Sequence, residues 1–89
     1  MDDTDLVKKL LATLDLAGWQ VYKVEGDTCT PDKAAELILD QDISEVCFRR
    51  DKERGTVWLA LGQFPDAVYD YTENLDEDLV PFFTWVDEV

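Results

Sequence analysis

The stretch from Ser44 to Leu61, SEVCFRRDKERGTVWLAL, constrains the fold most, because it alternates twice around a polar turn. Glu45–Arg50 sets Val46 and Phe48 between Glu45, Cys47 and Arg49. Thr56–Leu61 sets Val57, Leu59 and Leu61 between Thr56, Trp58 and Ala60. A period of two puts one row on a core face and the other on a half-covered face. The stretch therefore reads as an antiparallel hairpin, 45–61, at the sheet centre, with Val46, Phe48, Val57, Leu59 and Leu61 buried. Its turn, Asp51-Lys52-Glu53-Arg54-Gly55, ends on a glycine placed for the positive φ of a longer hairpin loop. Four of the eight basic residues lie here, Arg49, Arg50, Lys52 and Arg54. No catalytic or ligand-binding motif does.

Upstream, Leu6, Leu10, Leu11 and Leu14 recur at helical spacing, with Asp3 or Thr4 as cap and Gly18 as a stop after about Ala17. Trp19–Val24 is aromatic and β-branched, a short strand, and Gly26-Asp27 marks a turn. Thr30-Pro31-Asp32 joins a hydroxyl cap, a first-turn proline and an acid, so a second helix is expected to about Asp40. Downstream, Pro65 to about Glu73 reads as a third helix, ending near Asn74. Asp76–Val89 reads as a fourth, capped by Asp76, with Leu79, Phe83 and Val86 on one side; Pro81 starts it late or kinks it. The expected order is α-β-α-β-β-α-α. The fold class is α+β, a small two-layer domain over residues 1–89 with helices packed on the sheet.

With 89 residues, 46% of them hydrophobic and 11% aromatic, the chain can bury one modest core, and most of its aromatics belong there. Its apolar runs fall far short of the ~20 residues that cross a bilayer. The acidic start, Asp2-Asp3-Thr4-Asp5, is unlike a secretory signal. A cytoplasmic location is expected, where Cys29 and Cys47, without Cys-x-x-Cys spacing, stay as thiols.

Charge is the extreme property: 21 Asp and Glu against 8 Lys and Arg, no His, and a net charge of −13. Nucleic acid, anionic membranes and acidic substrates are repelled by such a chain, so none is expected as a direct partner. A basic protein surface is favoured.

The absence of His removes Ser-His-Asp and Cys-His catalysis and the usual zinc arrangements. Ser44, the only serine, has no nucleophile elbow around it, and the four glycines build no phosphate loop. Asp40-Gln41-Asp42-Ile43-Ser44 begins like a calcium loop. Glu45, however, stands in place of the sharp-turn glycine and Asp51 in place of the closing Glu. No enzyme activity, cofactor or metal is expected.

The placement of the acids remains. Asp32, Glu36 and Asp40 are spaced i, i+4, i+8 on the second expected helix, opposite Ala34, Leu37 and Ile38. Asp66, Asp70 and Glu73 would form a like stripe on the third, opposite Ala67, Val68 and Tyr71. Four helical residues rise about 6 Å, the same order as the ~3.4 Å between phosphates of a DNA strand. Two such stripes would approximate a phosphate track. From Gly55 to Val89 there are eight acids and no basic residue, with Tyr69 and Trp85 placed to anchor an interface.

The candidate partner-binding set is Asp32, Glu36, Asp40, Asp66, Tyr69, Asp70, Glu73 and Trp85. The expected partner is the basic surface of a nucleic-acid-binding protein, blocked sterically and by charge. Small acidic proteins that imitate nucleic acid are of this physical type, phage-encoded inhibitors of restriction, CRISPR or repair machinery among them. They share charge rather than a sequence pattern. Two other expectations stand beside this one. The acids can serve solubility or salt adaptation, on the polar face any amphipathic helix needs. A homodimer can form by pairing an uncovered edge strand.

Overall fold

The computed structural model describes residues 2–89. Helix α1 spans Asp3–Leu16 and strand β1 spans Gln20–Val24, followed by the two-residue strand β2, Asp27–Thr28. Helix α2 (Pro31–Leu39) leads into the long strands β3 (Ile43–Arg50) and β4 (Glu53–Ala60). The short strand β5 (Val68–Tyr71), a 3-10 turn (Glu73–Leu75) and helix α3 (Val80–Glu88) complete the fold. It is an α+β architecture of two layers. One is an antiparallel sheet of order β2-β1-β3-β4-β5; the other is formed by the helices and the 3-10 turn.

The hairpin lies at the centre of the sheet, as its alternation predicts. Ser44, Val46 and Phe48 of β3 face inward with Gly55, Val57 and Leu59 of β4, all buried. Leu61 is only half-buried: it lies just past the end of β4, its N–H still donating to the Asp42 carbonyl at 2.8 Å. The turn is tighter than expected. Arg50 pairs with Glu53, so only Asp51 and Lys52 form the loop, and Asp51 takes the positive φ of 54°. Gly55 sits inside β4 for another reason: a Cβ there would stand 2.8 Å from the Leu75 side chain. The glycine lets the 3-10 turn settle onto the strand.

Helix α1 buries Leu6, Val7, Leu10 and Leu14 on one stripe. Each such side chain removed from water contributes about 1.5–3 kcal/mol. Asp2 is its N-cap, accepting from the Asp5 N–H at 2.9 Å. At the other end Gly18 (φ +91°) closes a Schellman motif, with Gly18 N–H donating to Asp15 and Trp19 N–H to Leu14. Glu25 and Gly26, at φ +51° and +83°, form the tight turn that makes Asp27–Thr28 a strand rather than only a turn.

Two expected elements are corrected. Pro65–Glu73 is not a helix: Val68–Tyr71 pairs with β4 as the edge strand β5. Val68-Tyr69-Asp70-Tyr71 is a β-forming sequence, and pairing it satisfies the outer backbone groups of β4. The last helix starts at Val80 with Pro81 in its first turn, and Asp76 caps nothing there. Residues 76–79 form turns that carry Leu79 into the core. α2 packs on β1, β3 and α1, whereas the 3-10 turn lies against β4 and α3 against α1.

Candidate partner-binding surface

The fold exposes nearly every carboxylate. Among the 21 acids, all but the half-buried Asp3 and Asp78 are exposed. Among the described residues only Glu36, Glu53 and Asp78 reach a cationic side chain, Lys33 for the first and Arg50 for the other two. The negative field is therefore mostly uncompensated locally.

On α2 the stripe exists as predicted: Asp32, Glu36 and Asp40 are exposed while Ala34 and Ile38 on the opposite side are buried. Asp40 is also the C-cap residue. A carboxylate at the negative end of a helix dipole costs about 0.3–1 kcal/mol. The same choice recurs in Asp15 on the last turn of α1 and in Asp87 and Glu88 on that of α3, and no last turn carries a basic residue. First turns carry acids too, Asp3 and Asp5 on α1 and Asp32 on α2, but the C-terminal ones sit where helix stability disfavours them.

The second group is arranged differently from the expected stripe. Asp66 lies in the loop before β5, Tyr69 and Asp70 on β5, and Glu73 at the start of the 3-10 turn. Asp70 is cross-strand from Trp58, and Tyr69, 56% exposed, stands at a bulge in that pairing. These four gather along the outer edge of the sheet. α2 covers β1 and β3 and does not reach β5, so the two acidic groups occupy separate surfaces. Trp85 joins neither group. It is half-buried on α3, 6.1 Å from the Phe82 ring, with the Lys9 ammonium 5.9 Å from its own.

The helix-free face of the sheet carries more cations than acids, Lys23, Arg49 and Arg54 against Glu45 and Asp70, and sequence reasoning missed it. Its rows run Gln20–Arg49–Arg54, then Lys23–Cys47–Thr56, then Glu45–Trp58–Asp70, then Ile43–Ala60. Lys23, Arg49 and Arg54 each stand within 5.8 Å of the Tyr22 ring centroid. Trp58 Nε1–H donates to Glu45 at 3.2 Å. Period-two alternation named these residues as the half-covered row; it could not say that no helix covers them.

A partly buried network holds the helices to the sheet. Arg50 stacks over Trp19 at 4.4 Å and donates to the Ala17 carbonyl and to Asp78, both at 3.0 Å. Trp19 Nε1–H donates to the same Asp78 oxygen at 2.8 Å. Two shallow clefts of about 270 Å³ flank α1, one over Trp19 and Phe48, the other between Leu16 and Pro81. Among the described residues no group of His, Cys, Asp or Glu could hold a metal, and no helix is long and apolar enough to cross a membrane. No family model, curated protein or solved structure matches the chain.

Proposed function

We propose that this chain is a non-enzymatic, cytoplasmic protein-binding module. It occupies the basic nucleic-acid-binding surface of a partner protein and so inhibits it, in the manner of a phage-encoded DNA mimic directed at CRISPR or another defence system. The observation that carries this reading is the acid at the C-terminal end of every α-helix, with no basic residue in any last turn. Acids needed only for solubility are as effective at helix N-termini, where the dipole favours them. Local choices that oppose the stability of their own element are expected where function sets the residue. The α2 stripe Asp32, Glu36 and Asp40 supplies the regular field, and the β5 edge, Asp66, Asp70 and Glu73 with exposed Tyr69, supplies a second contact surface.

The test is capture of basic proteins from a bacterial lysate on the immobilised chain at low salt, followed by elution with duplex DNA. A nucleic-acid-binding protein displaced by DNA, whose affinity falls steeply with salt, is the expected result. Asp32→Asn, Glu36→Gln and Asp40→Asn together should slow its association at least tenfold while the chain stays folded, because surface charge mainly steers encounter. Unchanged binding by that variant and by Asp66→Asn, Asp70→Asn, Glu73→Gln would leave the acidity a solubility device alone.

A further inference from the structure

The helix-free face of the sheet has a charge pattern that complements itself. Cys47 and Thr56 are cross-strand partners at its middle, both small and half-exposed. Two residues from Cys47 along β3 lie Arg49 on one side and Glu45 on the other. Two residues from Thr56 along β4 lie Arg54 and Trp58. We propose that the chain forms a two-fold dimer through this face, with the axis running across the strands along the Cys47–Thr56 row. Rotation about that axis reverses strand direction. Arg49 of one copy then lies over the partner copy's Glu45, and Arg54 over the partner copy's Trp58, each pair formed twice. The contact is isologous and closes on itself.

Three observations favour a second copy as the occupant. First, Arg49 and Arg54 are directly cross-strand, a like-charge pairing that destabilises a sheet. Neither has a carboxylate within ion-pairing distance among the described residues, although the chain has 21 acids to offer. Among the described residues Arg54 donates only to the Asp51 and Glu53 carbonyls of its own turn; the dimer adds a carboxylate for Arg49 and an indole face for Arg54. Second, this face carries three cations, Lys23, Arg49 and Arg54, against Glu45 and Asp70, so two strongly acidic molecules can meet here without the repulsion they would meet elsewhere. Third, Ile43, 59% exposed, and the half-exposed Trp58, Tyr22 and Ala60 supply apolar surface. Lys23 falls on the axis row but near the sheet's margin, where its flexible chain turns out to water.

From strand spacings of about 4.8 Å and a rise of about 3.3 Å per residue, the face offers roughly 500 Å² a copy, near the ~1,000 Å² total at which specific interfaces begin. A reversible dimer follows, populated at tens of micromolar rather than nanomolar concentrations. The edges are poor alternatives: β2 has two residues, and β5 has four and is bulged.

Sedimentation velocity from low micromolar to near-millimolar concentration should move the mass from 10.2 kDa toward twice that value. Arg49→Glu alone and Glu45→Arg alone should each weaken the dimer at least tenfold, since each sets like charges against each other twice. An equimolar mixture of the two variants should restore it, because every facing pair is again opposite in sign. That rescue cannot come from misfolded protein. A bismaleimide of short span should join copies through Cys47 and not Cys29, and Cys47→Ser should abolish the crosslink. A chain that stays monomeric throughout overturns the proposal. So does a dimer indifferent to both charge changes, which would place the contact elsewhere, at the β5 edge first. A monomer leaves both acidic surfaces untouched, and a dimer at β5 leaves the α2 stripe, whose test is displacement of a partner by DNA.

Discussion

Arg50 shows how one side chain can join three elements. Its guanidinium lies over the Trp19 ring, donates to the end of α1 through the Ala17 carbonyl, and shares Asp78 with the indole N–H. Arg50→Ala should cost about 2–3 kcal/mol, because Asp78 loses a charged donor in a partly buried site. Arg50→Lys should recover only part, since an ammonium cannot stack and fork at once. Urea unfolding of both variants measures this, and equal midpoints for the two would contradict the geometry. A second residue reports on pH. Tyr71 O–H donates to Asp76 at 2.7 Å, and that hydrogen bond, with Asp76 and Asp70 nearby, raises its pKa above the ordinary value. The neutral phenol is therefore favoured by folding, so its contribution is present at neutral pH. It is lost as pH climbs past about 10 through the raised value. Asp76→Asn should bring the Tyr71 titration back toward the ordinary range, followed by ultraviolet absorbance.

Helix α2 allows a sharper separation of stability from binding. Asp40 sits at its C-cap, so Asp40→Asn should raise stability by about 0.3–1 kcal/mol while weakening association with the basic partner. Thermal unfolding and association rates together decide it; a variant that loses stability would mean Asp40 has a structural role instead. What the sequence disclosed here follows a physical line. α1 and the central hairpin are readable because each repeats its buried positions, Leu6, Leu10 and Leu14 or Val46 and Phe48, and α2 because Thr30-Pro31-Asp32 marks its start. β5 was not readable because Val68–Tyr71 is only four residues, too short to tell a period of two from one of 3.6. Its identity came from pairing with β4, a contact between segments. The α2 stripe survives for the same reason that α2 does. The Asp66–Glu73 stripe depended on a helix that is absent, so its members now line a sheet edge. Gly55 reads as a turn residue in the sequence because its true reason, Leu75, lies far along the chain.

The molecule separates charge by side. Exposed carboxylates outnumber cations on the helices and loops, while the bare sheet face holds Lys23, Arg49 and Arg54 against Glu45 and Asp70. At −13, folding brings these acids together against their mutual repulsion. Added salt, which shortens the Debye length from about 30 Å at 0.01 M to about 3 Å at 1 M, should therefore stabilise the fold. Each ~1 kcal/mol of relieved repulsion should raise Tm by about 4–8 °C for a domain of this size. A scan in sodium chloride checks this, and a Tm that falls with salt would mean that the few ion pairs outweigh the repulsion. Partner binding should move the opposite way over the same range, so salt separates the two effects in one experiment.

The hydrophobic cluster draws on both extremes of the chain, Leu6, Val7 and Leu10 at the start and Leu79, Phe82 and Val86 at the end, with α1 against α3. Bringing Lys9 to Trp85 closes nearly the whole chain into a loop, roughly 4 kcal/mol of entropy by the loop-closure relation. During synthesis, α1 leaves the ribosome with part of its apolar stripe uncovered until residues 80–88 follow. The core therefore completes only once residues 80–88 have emerged. Clipping α3 from the chain would return a nascent-like species with its α1 stripe bare, a better substrate for chaperones and proteases than for any partner.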